Sequence, residues 1–307
     1  MMKISRILFL IVTALVVVTT SCSDDDESAK PKDIVSIASS DPQFSTLVAA
    51  LTKANLAGVL QGNGPFTVFA PTNTAFNTLL SDLGVSSLND LSAEALTPIL
   101  LNHVVSGSFR STDLTTGYVK TANTGGPNDT AIDLYVEAGS GVKLNKTINV
   151  TTANIEASNG IIHVIDKVIL PTDVVDIAVN NDNFTSLVGA LGAASGDLVT
   201  ALKGNGPFTV FAPVNAAFTD IADVTAELTD DQLADVLKYH VVAGANVLSA
   251  DLTNGMEVTT LSGTFTVNIS GSTVTITDQS GATAQVIATN VQGTNGVVHV
   301  IDKVLLK

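Results

Sequence analysis

The sequence predicts an α+β protein built from two tandem copies of one domain, with helices leading and strands following in each. Three observations predict it. The decamer Gly62-Asn63-Gly64-Pro65-Phe66-Thr67-Val68-Phe69-Ala70-Pro71 recurs unchanged at Gly204 to Pro213. The segment Asn159-Gly160-Ile161-Ile162-His163-Val164-Ile165-Asp166-Lys167-Val168 recurs at Asn295 to Val304, with two isoleucines exchanged for valine. Within each copy the apolar period passes from the helical one early to the strand one late. The two offsets, 142 and 136 residues, are domain-sized rather than the short period of a solenoid.

The elements follow in order. Asp41-Pro42 offers an N-cap and a proline at the first helical position. Phe44, Leu47, Val48 and Leu51 then mark one helix face, as do Phe184, Leu187, Val188 and Leu191 in the second copy. The Asn-Gly-Pro turn leads into a short strand over 66–70, ended by Pro71, and Asn73 is placed to cap the helix that carries Ala75, Phe76, Leu79 and Leu80. Further helices are expected near Ser92 and Thr229, the latter with a capping box to Gln232. Alternation then takes over. Phe265, Val267 and Ile269 turn at Gly271-Ser272 into Val274 and Ile276, and Ile132, Leu134 and Val136 pair with Val142 and Leu144 across Gly139-Ser140-Gly141. A last apolar strand is expected over 161–170 and over 297–306. The short join at Leu170-Pro171-Thr172 leaves the copies limited freedom.

Composition narrows the function. The 307 residues carry a net charge of -15, one cysteine, four histidines and no tryptophan. An acidic chain does not suit nucleic acid, whose phosphates need a cationic surface. One cysteine leaves no intrachain disulfide and no cysteine-rich metal site.

That cysteine, Cys22, stands at the end of the leader. Lys3 and Arg6 precede a short apolar run from Ile7 to Val18, followed by Thr19, Thr20 and Ser21. The run is too short to span a bilayer comfortably. The pattern resembles a bacterial lipoprotein signal over residues 1–21, departing from it at Thr19. The resemblance implies that Cys22 becomes the acylated first residue; a secreted soluble protein and an uncleaved membrane helix are the other readings. Residues 22–31 form an acidic tether around Asp24, Asp25, Asp26 and Glu27. This run resembles the signal that sends lipoproteins to the outer face of the outer membrane in Bacteroidetes-type bacteria, and a flexible spacer is the simpler alternative. Without the leader, 12 Lys+Arg face 29 Asp+Glu, a net -17.

All four histidines belong to the repeat. His103 ends the stripe Leu96, Ile99, Leu100, and His240 ends Leu233, Val236, Leu237, so both face the core edge and are read as structural. His163 and Asp166 lie on opposite faces of an extended segment, as do His299 and Asp302, which disfavours a catalytic dyad or shared metal site there. His163 and His299 are therefore also read as structural. No nucleophile elbow or His-Glu-x-x-His occurs, and no cofactor is expected.

The decamer followed by Asn-x-Ala-Phe, together with the Asn-Gly-[Ile/Val]-[Ile/Val]-His segment, is similar to the two signatures of the fasciclin domain family. The resemblance covers nearly all of residues 32–307, as copies 32–171 and 172–307. It implies two wedge-shaped β-sandwiches flanked by helices, and a non-enzymatic adhesion module whose partners are proteins or polysaccharides at the cell surface or matrix. In adhesive members a Tyr-His pair at the end of this helix is associated with receptor engagement. Tyr239-His240 matches it and Asn102-His103 departs from it. Tyr239, more than His240, is thus the expected partner contact. Asp129-Thr130-Ala131 resembles an O-glycosylation sequon of the same bacteria, with Thr130 as acceptor. The alternative function is a glycan- or small-ligand-binding lipoprotein for nutrient capture, against which the 5% aromatic content counts mildly. A hydrolase is a third reading.

Overall fold

Several helices begin where a side chain takes up free backbone N–H groups, from Asp33, Thr72, Ser92, Asp173, Asp197 and Thr229. A computed structural model describes residues 31–307; the leader, Cys22 and nearly all of the acidic run lie outside the described residues. Copy one runs α1 (Ile34–Ser40), α2 (Ser45–Lys53), α3 (Ala57–Leu60), β1 (Phe66–Pro71), α4 (Asn73–Asp82), α5 (Ala93–Asn102), β2 (Val104–Ser106), β3 (Gly117–Lys120), β4 (Asp133–Ala138), β5 (Val142–Leu144), β6 (Ile148–Ala157) and β7 (Gly160–Ile165). Copy two runs α6 (Val174–Val179), α7 (Thr185–Ala193), α8 (Leu198–Leu202), β8 (Phe208–Pro213), α9 (Asn215–Thr219), α10 (Ala222–Glu227), α11 (Asp230–Tyr239), β9 (Val241–Ala243), β10 (Met256–Thr260), β11 (Gly263–Ser270), β12 (Thr273–Thr277), β13 (Thr283–Gly293) and β14 (Gly296–Ile301). Ser92 caps α5, and Thr229 with Gln232 forms the capping box of α11.

The strands of each copy form one seven-stranded sheet that curls into a near-barrel, β2-β1-β7-β6-β5-β4-β3 in copy one and β10-β11-β12-β13-β14-β8-β9 in copy two. A bridge between Val105 and Thr121 brings the two edges of the first sheet together. β6 and β13 each carry two register shifts, and Asn154 (φ 64°) and Asn290 (φ 60°) sit at the second. Such bulges bend a strand, and here they carry it from one layer of the sandwich into the other.

Two cores result. Between helices and sheet, Phe44, Leu47, Phe76, Leu96 and Leu100 pack on Val68, Ala70, Ile162 and Val164. Inside the folded sheet, Phe69, Leu134, Val136, Leu144 and Ile165 pack together. Alternate residues of β1 and β7 thus serve opposite cores, as the strand period requires.

Three local expectations are corrected. Thr72, not Asn73, caps α4; Asn73 instead reaches across to Thr46 N and Pro42 O. Ile132 is fully buried but precedes β4. The last strand stops at Ile165, or at Ile301, because Asp166 and Asp302 turn to bind Asn149 and Gln285 on the neighbouring strand.

Candidate functional site

The two signature segments are adjacent parallel strands. Phe66 stands opposite Gly160 and Pro71 opposite Ile165, and Phe208 to Pro213 pair with Gly296 to Ile301 in the same register. One asparagine ties this pairing to the helices. Asn159 Oδ1 accepts from Ile34 N at 3.0 Å, and its Nδ2 donates to Leu60 O at 2.7 Å and Gly62 O at 2.9 Å. Asn295 repeats all three bonds with Val174, Leu202 and Gly204. Thr67, fully buried, donates to Gly107 O and accepts from Phe109 N, pinning the chain after β2. Thr209 does the same with Ala245 and Val247. Buried polar groups must find such partners, so the repeated polar positions are held by architecture.

The histidines are held the same way. His103 Nδ1 lies 2.7 Å from Ile99 O and must donate to it, while Nε2 accepts from Ile169 N at 2.9 Å. His240 makes the matching bonds to Val236 O at 2.8 Å and from Leu305 N at 2.9 Å. Both rings are therefore neutral Nδ1–H tautomers. Burial drives their pKa down to about 4, with the carbonyl bond opposing only in part. Behind each ring lies a small apolar cavity, about 20 Å³ in copy one and about 30 Å³ in copy two. That is room for about one water molecule. His163 and His299 take the opposite tautomer. Each Nε2 donates at 2.9 Å, to Phe109 O and Val247 O respectively, and His299 Nδ1 has no partner among the described residues. Burial lowers both pKa values as well. Asp166 and Asp302 bond to the adjacent strand and not to these rings.

The expectation that Tyr239 offers a partner contact is corrected. Its side chain is 0% exposed and that of His240 2%. Tyr239 ends α11, and the chain turns at once into β9, so the flank opposite the apolar stripe is covered by the β10–β11 turn rather than by water. The ring meets Phe265 edge-on at 6.2 Å, and its hydroxyl donates to Thr264 O at 2.7 Å and accepts from Gln279 N at 3.2 Å. Asn102 fills the same place in copy one, where Asn123 Nδ2 donates to its Oδ1 and its Nδ2 donates to Leu170 O, both at 3.2 Å. The residue type follows the turn above it: residues 122–131 in copy one, the tight Leu261-Ser262 turn in copy two. Tyr239→Phe is expected to cost about 1–2 kcal/mol in a urea melt, while leaving binding of any partner by folded protein unchanged. Selective loss of binding without loss of stability would restore the contact role.

Comparison with known proteins now decides the family. Residues 42–171 and 182–307 each match the Fasciclin domain. The chain belongs to the fasciclin domain family. A Synechocystis protein is 44% identical over 138 residues, covering 45% of this chain and 73% of the relative. Human periostin is 30% identical over 256 residues, 80% of this chain but 29% of periostin. Pig transforming growth factor-beta-induced protein ig-h3 is 32% identical over 253 residues, 80% of this chain and 35% of that protein. The chain thus spans about a third of these two animal relatives. The solved domain pair of fasciclin I, an insect cell adhesion molecule, covers 84% of this chain and 92% of its own with a TM-score of 0.48 and 20% identity.

The two fasciclin copies meet along a polar seam that no motif announced. Lys120 Nζ lies 2.6 Å from Asp133 Oδ2, within copy one, and donates to Asn290 O of copy two at 3.1 Å. Gln292 N of copy two donates to the same Asp133 Oδ2 at 2.6 Å. Asn181 Nδ2 donates to Tyr118 OH at 2.9 Å, and Lys146 pairs with Asp182 at the exposed rim. Burial holds the Asp133 carboxyl above its ordinary value, against the opposing pull of Gln292 N–H and Lys120. Thr130 stands at the margin of this seam, half-buried, with Oγ1 donating to Pro127 O at 2.7 Å. On the outside of copy one, Ser111, Thr112, Ser140 and Thr151 line an open groove of about 540 Å³.

Proposed function

We propose that this protein is a lipid-anchored, non-enzymatic pair of interaction modules at the cell surface, mediating cell–cell, cell–matrix or envelope contacts. Cys22 is its attachment point and residues 22–31 its tether in this reading, with the outer membrane as the address. One observation carries it. The polar residues repeated between the copies, Asn159 and Asn295, Thr67 and Thr209, His103 and His240, all turn inward onto backbone partners. That leaves outer surfaces, rather than an interior reaction centre, to meet proteins or polysaccharides. Membership in the fasciclin family agrees with it.

The glycan-capture alternative would seat its ligand in the hydroxyl-lined groove of copy one. It lacks a stacking platform, because no aromatic side chain is exposed among the described residues. Protease added to intact cells is expected to remove the protein, and beads carrying the mature chain to cluster or adhere to cells. Protection until the cells are lysed would sink the surface placement. Inert beads together with a selective glycan-array signal would transfer the reading to ligand capture.

A further inference from the structure

The seam uses residues that the fold itself does not require. By strand register, Lys120 and Asp133 of the β3–β4 pair stand where copy two has Thr259 and Thr264 in the β10–β11 pair, and Tyr118 stands where it has Glu257. Copy two builds the same strand pair with two threonines and a glutamate in place of the lysine, the aspartate and the tyrosine. A carboxylate that is 5% exposed costs free energy unless its charge and lone pairs are answered. Here half of the answer comes from the other copy. Gln292 N–H points away from its antiparallel partner strand into Asp133, and Lys120 closes the ring by reaching Asn290 O. Both copy-two groups lie on β13 just past the Asn290 bulge, where the strand is already fixed by the bond from Ser249 N to Asn290 Oδ1.

On either side of Pro171 the chain is clamped to its own copy. Leu170 O accepts from Asn102, and Thr172 O accepts from Thr294 N at 2.8 Å. Backbone freedom between the copies is thus confined to Pro171 itself. The exposed pair Lys146–Asp182 adds little, since solvated ion pairs contribute about 0–1 kcal/mol.

We propose that Lys120 and Asp133 are an interdomain latch. They hold the two fasciclin copies in one fixed orientation, and breaking them frees the copies to swing about Pro171 while each stays folded. A partner touching both copies then meets a preset geometry instead of paying to order it.

The Gln292 amide is a direct reporter, because its proton is held by Asp133 across the seam. The test variant is Lys120→Thr with Asp133→Thr, which gives copy one the residues that copy two already uses in the same strand pair. Hydrogen exchange on the full-length chain, followed by mass spectrometry of peptides spanning residues 290–294, is expected to accelerate at Gln292 at least tenfold. Peptides from β1, β4 and β14 are expected to keep wild-type protection. Lys146→Ala, at the exposed rim, is expected to change neither. Unchanged exchange at Gln292 in the double variant would overturn the latch. Loss of protection throughout β1 and β4 would overturn it too, by showing that the pair serves the fold of copy one.

Discussion

Gly160→Ala is expected to melt copy one at least ~10 °C below wild type, which follows from a loss of about 4 kcal/mol or more in a domain of this size. The Cβ of an alanine there would lie 2.0 Å from Phe66 O and 2.9 Å from Phe66 N. Both are backbone atoms of the neighbouring parallel strand, so no side chain can swing aside to make room. Moving β1 away from β7 would break the register on which Asn159 assembles the helices. Gly296→Ala is expected to do the same to copy two, with its Cβ 2.2 Å from Phe208 O. The companion turn is equally tight. Gly64 has φ 55°, and a Cβ there would come 2.2 Å from Asn159 O. Gly139→Ala is the matched control: nothing among the described residues lies within 4 Å of its added Cβ, and its melting temperature is expected to stay within about 2 °C of wild type. Equal melting of the Gly160 and Gly139 variants, read by circular dichroism, would show that the strands can part without cost.

That close approach explains what could be read from the sequence and what could not. Repetition exposed the two signatures and the α+β order. Periodicity placed the helices, the hairpins and the inward face of His103 and His240. Neither says that the decamer and the Asn-Gly segment are neighbours, because parallel pairing of segments this far apart leaves no local mark. The expectation for Tyr239 fails for a related reason. A helical wheel separates the stripe from its flank, but what covers the flank is decided by a turn from a distant strand pair. The signal was available in the copies themselves: Tyr239 goes with the tight Leu261-Ser262 turn, and Asn102 with the longer 122–131 loop. The seam was hidden for the opposite reason. A repeat marks positions that recur, and Lys120 and Asp133 stand out only because they do not.

Acidification from pH 7.5 to 4.5 is expected to remove roughly 2–3 kcal/mol of stability for each of His103 and His240, about 1.4 kcal/mol per unit of pKa difference. Both fall to about 4 in the folded protein from a reference of 6.5. Between those values the unfolded chain binds a proton at each ring and the folded chain does not. Stability from these groups is therefore complete above pH 6.5 and is lost as the pH drops toward 4. The structural cause is definite. A second proton would go on Nε2, which already faces the N–H of Ile169 or Leu305, setting donor against donor beside an apolar cavity. His163 and His299, also shifted downward by burial, add in the same direction. Asp133 acts the other way, because its raised value lets the folded state keep a proton that the unfolded chain has released. Urea unfolding across this range separates the contributions. His240→Asn removes one titrating ring, so its slope of stability against pH is expected to be shallower than that of wild type, whatever its overall stability. A wild-type slope near zero between pH 6.5 and 4.5 would mean that these rings carry a proton in the folded protein, and the bonds from Ile169 N and Leu305 N to Nε2 could not stand.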